Sequence, residues 1–157
     1  MPVALGFPAP KTANPIQSTQ GEIAALDQFR GKHLVLYFYP KDNTPGCTTE
    51  SADFTTHHDA FAQAGAVVFG VSRDNLKSHE TFREKLGAPF HLISDPAEEL
   101  CLGFDVMRNK MMYGKQVRGL ERSTFVFDRM GDLAREWRGV KVDGHAQEVL
   151  VFVQSLG

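Results

Sequence analysis

Cys47 is the residue whose type and setting could do chemistry, and the residues just before it say why. Thr44-Pro45-Gly46-Cys47 reads as a helix entrance, with Thr44 as the N-cap and Pro45 at the first helical position. Cys47 is then the third helical residue, its backbone N–H free to meet the Thr44 hydroxyl. The first turn of a helix carries partial positive charge and unpaired N–H groups, and both favour a thiolate over a thiol. The thiolate is the nucleophilic form, so Cys47 is a candidate nucleophile. Burial as a small hydrophobe is the ordinary fate of a lone cysteine. A capped helix that follows directly on a strand outweighs that reading here.

The elements that must position Cys47 are legible on both sides of it. Residues 34–39 (LVLYFY) are an unbroken apolar, aromatic and branched run, the pattern of a strand buried on both faces. Pro40 cannot donate to a sheet ladder and should end it, and residues 41–43 form a polar loop. From Cys47 a helix is expected to about Gly65. Cys47, Phe54 and Phe61 recur every seventh residue on one inward face, which leaves the cysteine at the edge of the core and partly sheltered.

Further on, Ala66–Ser72 is a second buried strand. A helix over 75–86 has Leu76, Phe82 and Leu86 inward and stops at Gly87, and His91–Ser94 is a third strand. Asp95-Pro96 opens another helix, with Asp95 and Glu98 resembling a capping box. Residues 107–122 are a loop or hairpin carrying Arg108, Lys110, Lys115, Arg118 and Arg122. Met111 and Met112 within it either line a site entrance or fill gaps. Ser123–Phe127 and Leu133–Arg138 are two more strands around a turn at 128–132, and Gly144 precedes a closing helix with Val149, Leu150 and Val153 inward. In residues 1–33, two short strands near 3–5 and 23–26 fit around a turn at 19–21. Strands alternating with helices predict an α/β fold with a central mixed sheet, the first two buried strands parallel.

Composition narrows the functional classes. A chain of 157 residues, 42% hydrophobic with 12 Phe, fits one globular domain over 1–157. A net charge of −2 makes no electrostatic case for nucleic acid or a membrane surface. No stretch reads as a secretory signal or a membrane span. Two cysteines without CxxC or zinc spacing are no disulfide framework, so a reducing, cytoplasmic setting is the expectation. No metal is expected. Of the six histidines, His57 and His58 are adjacent and point roughly 100° apart on a helix, and no HxxxH or HExxH spacing occurs. Surface helix positions are the favoured reading for them. Gly65 and Gly70 form no nucleotide-binding pattern.

Pro40-x-x-x-Thr44-x-x-Cys47 resembles the active-site signature of the peroxiredoxins, and YFYPKDNTPGCTTE resembles their bacterioferritin-comigratory, or Q-type, subgroup. The similarity continues through GVSRDNLKSHETF, FHLISD and RSTFVFD, nearly the whole chain. It implies a thioredoxin-like fold with an N-terminal hairpin extension. It also implies reduction of hydrogen peroxide and alkyl hydroperoxides by a cysteine, with no metal, haem, flavin or other cofactor. By that resemblance Cys47 is the peroxidatic cysteine and Thr44 places its hydroxyl between sulfur and peroxide. Arg122 favours the thiolate and polarises the peroxide, Glu50 orients Arg122, and Pro40 shields the sulfur and shapes the loop. Thioredoxin, glutaredoxin or a small thiol is the implied reductant, and a monomer or weak homodimer the implied assembly.

The usual resolving cysteines of that subgroup are missing: their positions hold Ala52 and Arg83. The remaining thiol is Cys101, on an apolar stripe with Ala97, Leu100 and Phe104, which favours a core role over a resolving one. The expected cycle is one-Cys-like with an external thiol. A two-Cys cycle through Cys101 and a non-enzymatic redox sensor are the alternatives. A disulfide reductase is disfavoured by the missing CxxC.

Overall fold

A computed structural model describes residues 2–157 of the chain. Its main sheet contains six strands: β1 (Gln17–Ser18), β2 (His33–Phe38), β3 (Ala66–Ser72), β4 (His91–Ser94), β7 (Ser123–Phe127) and β8 (Leu133–Arg138). A separate two-stranded ribbon pairs β5 (Met107–Met112) with β6 (Lys115–Leu120). The helices are α1 (Pro45–Thr56), α2 (His58–Gln63), α3 (Leu76–Leu86), α4 (Glu99–Gly103) and α5 (His145–Leu156).

The sheet order is β1-β4-β3-β2-β7-β8. β2, β3 and β4 run parallel, while β7, β8 and β1 each pair antiparallel with their neighbours, so the sheet is mixed as expected. Every residue of β2 is buried, because both faces of the sheet are covered. Leu34, Leu36 and Phe38 enter one apolar layer with Phe69, Phe104 and Phe125. Val35, Tyr37 and Tyr39 enter the other with Cys47, Phe54, Phe61, Phe82 and Val149. Cys47 therefore belongs to the core of the second layer, and at 1% exposure it is sealed rather than partly sheltered.

The chain departs from expectation at several joints. The helix after Cys47 breaks at His57 into α1 and α2. Thr55 and Thr56 at the break turn their hydroxyls back onto the Ser51 and Ala52 carbonyls, a competition with helical bonding that β-branched residues favour. Phe54 and Phe61 nonetheless both reach the core. In α3, His79 is fully buried beside Phe82, whereas Leu76 and Leu86 are half-buried. His57 and His58, expected at the surface of a helix, are half-buried at the break, while His33 and His145 are buried.

α4 begins at Glu99, so Ala97 falls outside its stripe and is exposed. Asp95 still caps it, accepting from the amides of Leu100 and Cys101 at 3.1 and 2.8 Å. Glu98, at φ 64, sends its carboxylate to Arg73 and Arg118 instead of closing a capping box. Tyr113 (φ 53) and Gly114 (φ 77) make the two-residue turn of the ribbon, the left-handed pair that such hairpins require. Met111 and Met112 lie exposed at its tip. Near the N-terminus, the turn closes with Ser18 donating to the Gly21 carbonyl, flanked by a single bridge between Ile16 and Ile23. Residues 3–5 form no strand; Gln17–Ser18 instead borders β4.

Candidate active site

Tyr39 extends β2 by one bond to the Val71 carbonyl, and Pro40 ends the ladder. The turn toward α1 passes through Asn43 at φ 63, a left-handed conformation that Asn tolerates better than most residues. Thr44 is the extended N-cap and Pro45 the first helical residue, as expected. The Thr44 hydroxyl, however, donates to the Lys41 carbonyl at 2.8 Å and makes no bond to the Cys47 amide. Its one proton goes to the loop that folds back beneath it. Its oxygen lone pairs and the first-turn amides stay open.

The sulfur of Cys47 meets Arg122, whose Nη2 donates to Sγ at 3.3 Å. Nη1 of the same guanidinium donates to Glu50 Oε1 at 2.6 Å. Glu50 stands one turn after Cys47, so one planar cation spans both side chains from across the site. Arg122 immediately precedes β7, and its carbonyl, accepting from Val140, fixes the stem of the side chain. A Cβ on Gly46 would lie 3.2 Å from Nη2, so the bare glycine is what admits the guanidinium.

Charge in this cluster follows from burial and neighbours. Burial works against the Arg122 cation, but Glu50 and Cys47 outweigh it and hold its pKa above the ordinary value. Burial pushes the Glu50 carboxyl up to about 7 against the downward pull of Arg122. Glu50 Oε2 has no hydrogen-bond partner among the described residues. Tyr37 walls the site: its ring stacks on Phe54 at 4.5 Å and its hydroxyl donates to Ser51. His145, hydrogen-bonded to Thr124, is pushed down to about 4, chiefly by burial, and stays neutral.

Cys47, Glu50 and Arg122 thus converge, while Thr44 caps the helix with its hydroxyl turned to the loop and Pro40 is exposed at the strand end. Cys101 lies in the opposite apolar layer. Arg83 uses its Nε–H to tie α3 to the Phe90 carbonyl at 2.7 Å, and Ala52 is exposed on α1. Sequence reasoning missed a second polar cluster, in which Asp42 meets Tyr39, Ser78 and His79. For His79 a signal existed, since it falls three residues before Phe82 and seven before Leu86 on the inward stripe. Asp42 gave none inside a polar loop. Asp42, Asp74 and His79 bring donor atoms within 4.8 Å of one another. Their Oδ2 atoms and both His79 ring nitrogens already meet protein partners, the chemistry of a hydrogen-bond network rather than a coordination shell.

A mixed sheet with helices on its faces, and a cysteine on the first turn after its central strand, is the thioredoxin-like architecture used by thiol-dependent peroxidases. The AhpC/TSA family model matches residues 5–135. Peroxiredoxin Bcp of Xanthomonas campestris is 48% identical over 151 residues, covering 96% of this chain and 94% of that protein. Peroxiredoxin Bcp of Bacillus subtilis is 45% identical over 156 residues, covering 99% and 98%. A solved structure of the Xanthomonas campestris bacterioferritin comigratory protein, from work on its alkyl peroxide reduction activity, superposes with a TM-score of 0.90 at 47% identity, covering 98% of both chains. The chain belongs to the peroxiredoxins, in their bacterioferritin-comigratory, or Q-type, subgroup.

Proposed function

We propose that this peroxiredoxin reduces hydrogen peroxide and alkyl hydroperoxides with Cys47 as its peroxidatic residue, in a one-Cys cycle completed by an external thiol. The observation that carries the reading is the guanidinium of Arg122 at 3.3 Å from Sγ. The ionised sulfur attacks the terminal peroxide oxygen along the O–O axis. An S–O bond forms, the O–O bond breaks, and its electron pair leaves on the distal oxygen, which takes a proton to become water or alcohol. Negative charge moves from sulfur to that oxygen during the step. The Arg122 N–H groups and the open Cys47 amide are fixed donors along its path. Because Thr44 gives its own proton to Lys41, its oxygen acts as an acceptor for the peroxide O–H and so orients the substrate. Glu50 holds the guanidinium in plane, and Pro40 shapes the loop.

The product is a Cys47 sulfenic acid. Ala52 and Arg83 offer it no thiol, and Cys101 is a poor resolving group: burial, then the charge of Asp95, pushes its thiol up. Thioredoxin, glutaredoxin or a small thiol then reduces Cys47, the chain acting as a monomer or weak homodimer in a reducing, cytoplasmic setting. Intact mass after one equivalent of peroxide tests the cycle. A gain of one oxygen, lost in Cys47→Ser, supports it; a loss of two hydrogens reveals a disulfide and overturns the one-Cys assignment.

A further inference from the structure

Asp42 is a buried side chain in the loop between β2 and α1, at 5% exposure, held by bonds to the end of β2, to α3 and to the loop after β3. Oδ1 accepts from the Tyr39 hydroxyl at 2.6 Å, and Oδ2 accepts from the Ser78 hydroxyl of α3 at 2.8 Å. Nδ1 of His79, also on α3, lies 2.8 Å from Oδ2, while Nε2 donates to the Ile93 carbonyl of β4 at 2.9 Å. Since the carbonyl can only accept, Nε2 carries a hydrogen, and one proton is shared between Nδ1 and the carboxylate whichever bears it. The Asp42 amide donates in turn to Asp74 Oδ2, itself held by the Ser72 hydroxyl at the end of β3.

This network grips one short loop. The next residue, Asn43, is held at φ 63, and the one after it is Thr44, whose hydroxyl leans on the Lys41 carbonyl. The direction of the first turn of α1, and with it the aim of Cys47 toward Arg122, depends on where that loop sits. We propose that Asp42 and His79 are positioning residues for the peroxide reaction, clamping the loop to α3 so that the sulfur stays aligned and enclosed. The inference rests on Cys47 being the reacting residue. It adds that alignment comes from a hydrogen-bonded clamp on the side of the loop facing α3, not from Arg122 alone.

The chain carries its own control, because Cys101 is equally sealed but lies in the other layer. The test compares Asp42→Asn with the wild type in two rates: oxidation of Cys47 by hydrogen peroxide, and alkylation of each cysteine by iodoacetamide, resolved by peptide mass. Peroxide attack needs the enclosed alignment, whereas alkylation needs only a thiolate that the bulkier reagent can reach, so each cysteine is compared with itself between variant and wild type. The expected result is a fall of about 10²-fold in peroxide oxidation, with Cys47 alkylated faster and Cys101 unchanged. His79→Gln should behave alike, and the double variant should be no worse than either alone. A folded Asp42→Asn protein whose peroxide rate stays within twofold of wild type overturns the clamp; so does faster alkylation of both cysteines together, which marks general loosening. Should Asp42→Asn fail to fold, Tyr39→Phe and Ser78→Ala each remove one donor to Asp42. A several-fold loss in both supports the clamp, and unchanged rates in both overturn it. A wild type inert to peroxide would refute the Cys47 reading, while the alkylation ratio would still judge the clamp.

Discussion

The two cysteines occupy the same helical position in two different worlds. Cys47 is the third residue of α1 and Cys101 the third residue of α4. Both are sealed, at 1% and 0% exposure. At α1 the N-cap leaves the first-turn amides open and a guanidinium faces the sulfur. At α4 the Asp95 carboxylate takes the amides of Leu100 and Cys101, and its charge adds to burial in pushing the Cys101 thiol up. A helix N-terminus is therefore not enough to make a nucleophile. In the proposed reading, the sign of the charge set beside the sulfur separates the two.

The largest effect should come from exchanging the two thiols one at a time. Cys47→Ser should bring peroxide consumption to the background rate, and Cys101→Ser should leave it within about twofold, since only one sulfur faces a cation. Arg122→Met should lower the rate constant with peroxide by about 10²–10³-fold, the usual loss when a fixed donor to developing charge is removed. Stopped-flow kinetics at fixed pH would read it. Glu50 gives a pH signature in chemical denaturation. Its folded pKa of about 7 exceeds the ordinary 4.5, so between those values the folded state holds a proton that the unfolded state releases. Stability should therefore fall as pH rises through that window, by on the order of 3 kcal/mol in all, and Glu50→Gln should flatten the slope.

Asp95→Asn sharpens the comparison from the other side. Removing the anion should let Cys101 ionise at lower pH on denaturant-free titration, with about 1 kcal/mol of stability lost from the weakened cap. Peroxide turnover should not change. The smallest change is Gly46→Ala. Alanine should favour α1 by up to about 1 kcal/mol, yet its Cβ would sit 3.2 Å from Nη2. A protein that melts higher and reacts several-fold more slowly would show that the glycine serves the guanidinium.

Most of the scaffold could be read from the chain, because β2, β3 and β7 are each built on an apolar run and α1 is announced by Thr44 at its N-cap and Pro45 at its first position. Those signals are local: a strand buried on both faces and a proline at the first helical turn each declare themselves within a few residues. The break at His57 was hidden because Phe54 and Phe61 keep the helical spacing across it. The Arg122–Cys47 contact joins residues far apart in sequence, and only resemblance to known proteins could supply it; no periodicity encodes a guanidinium crossing from β7. The Asp42 network was invisible for a related reason. An aspartate in a polar loop looks solvated until the tertiary fold brings α3 over it, and the Thr44 hydroxyl likewise revealed its partner only once the loop was in place.

In the cycle proposed above, the enclosure of Cys47 sets two gates of different size on one atom. A hydroperoxide brings a slim, two-oxygen end that can thread to the sulfur while the first turn of α1 stays wound. A protein thiol arrives behind a bulky surface, and with 1% of the residue exposed it cannot touch its target until that turn opens. In that cycle oxidation and recovery draw on different shapes of the same molecule, and a bulky reductant must wait for the turn to open.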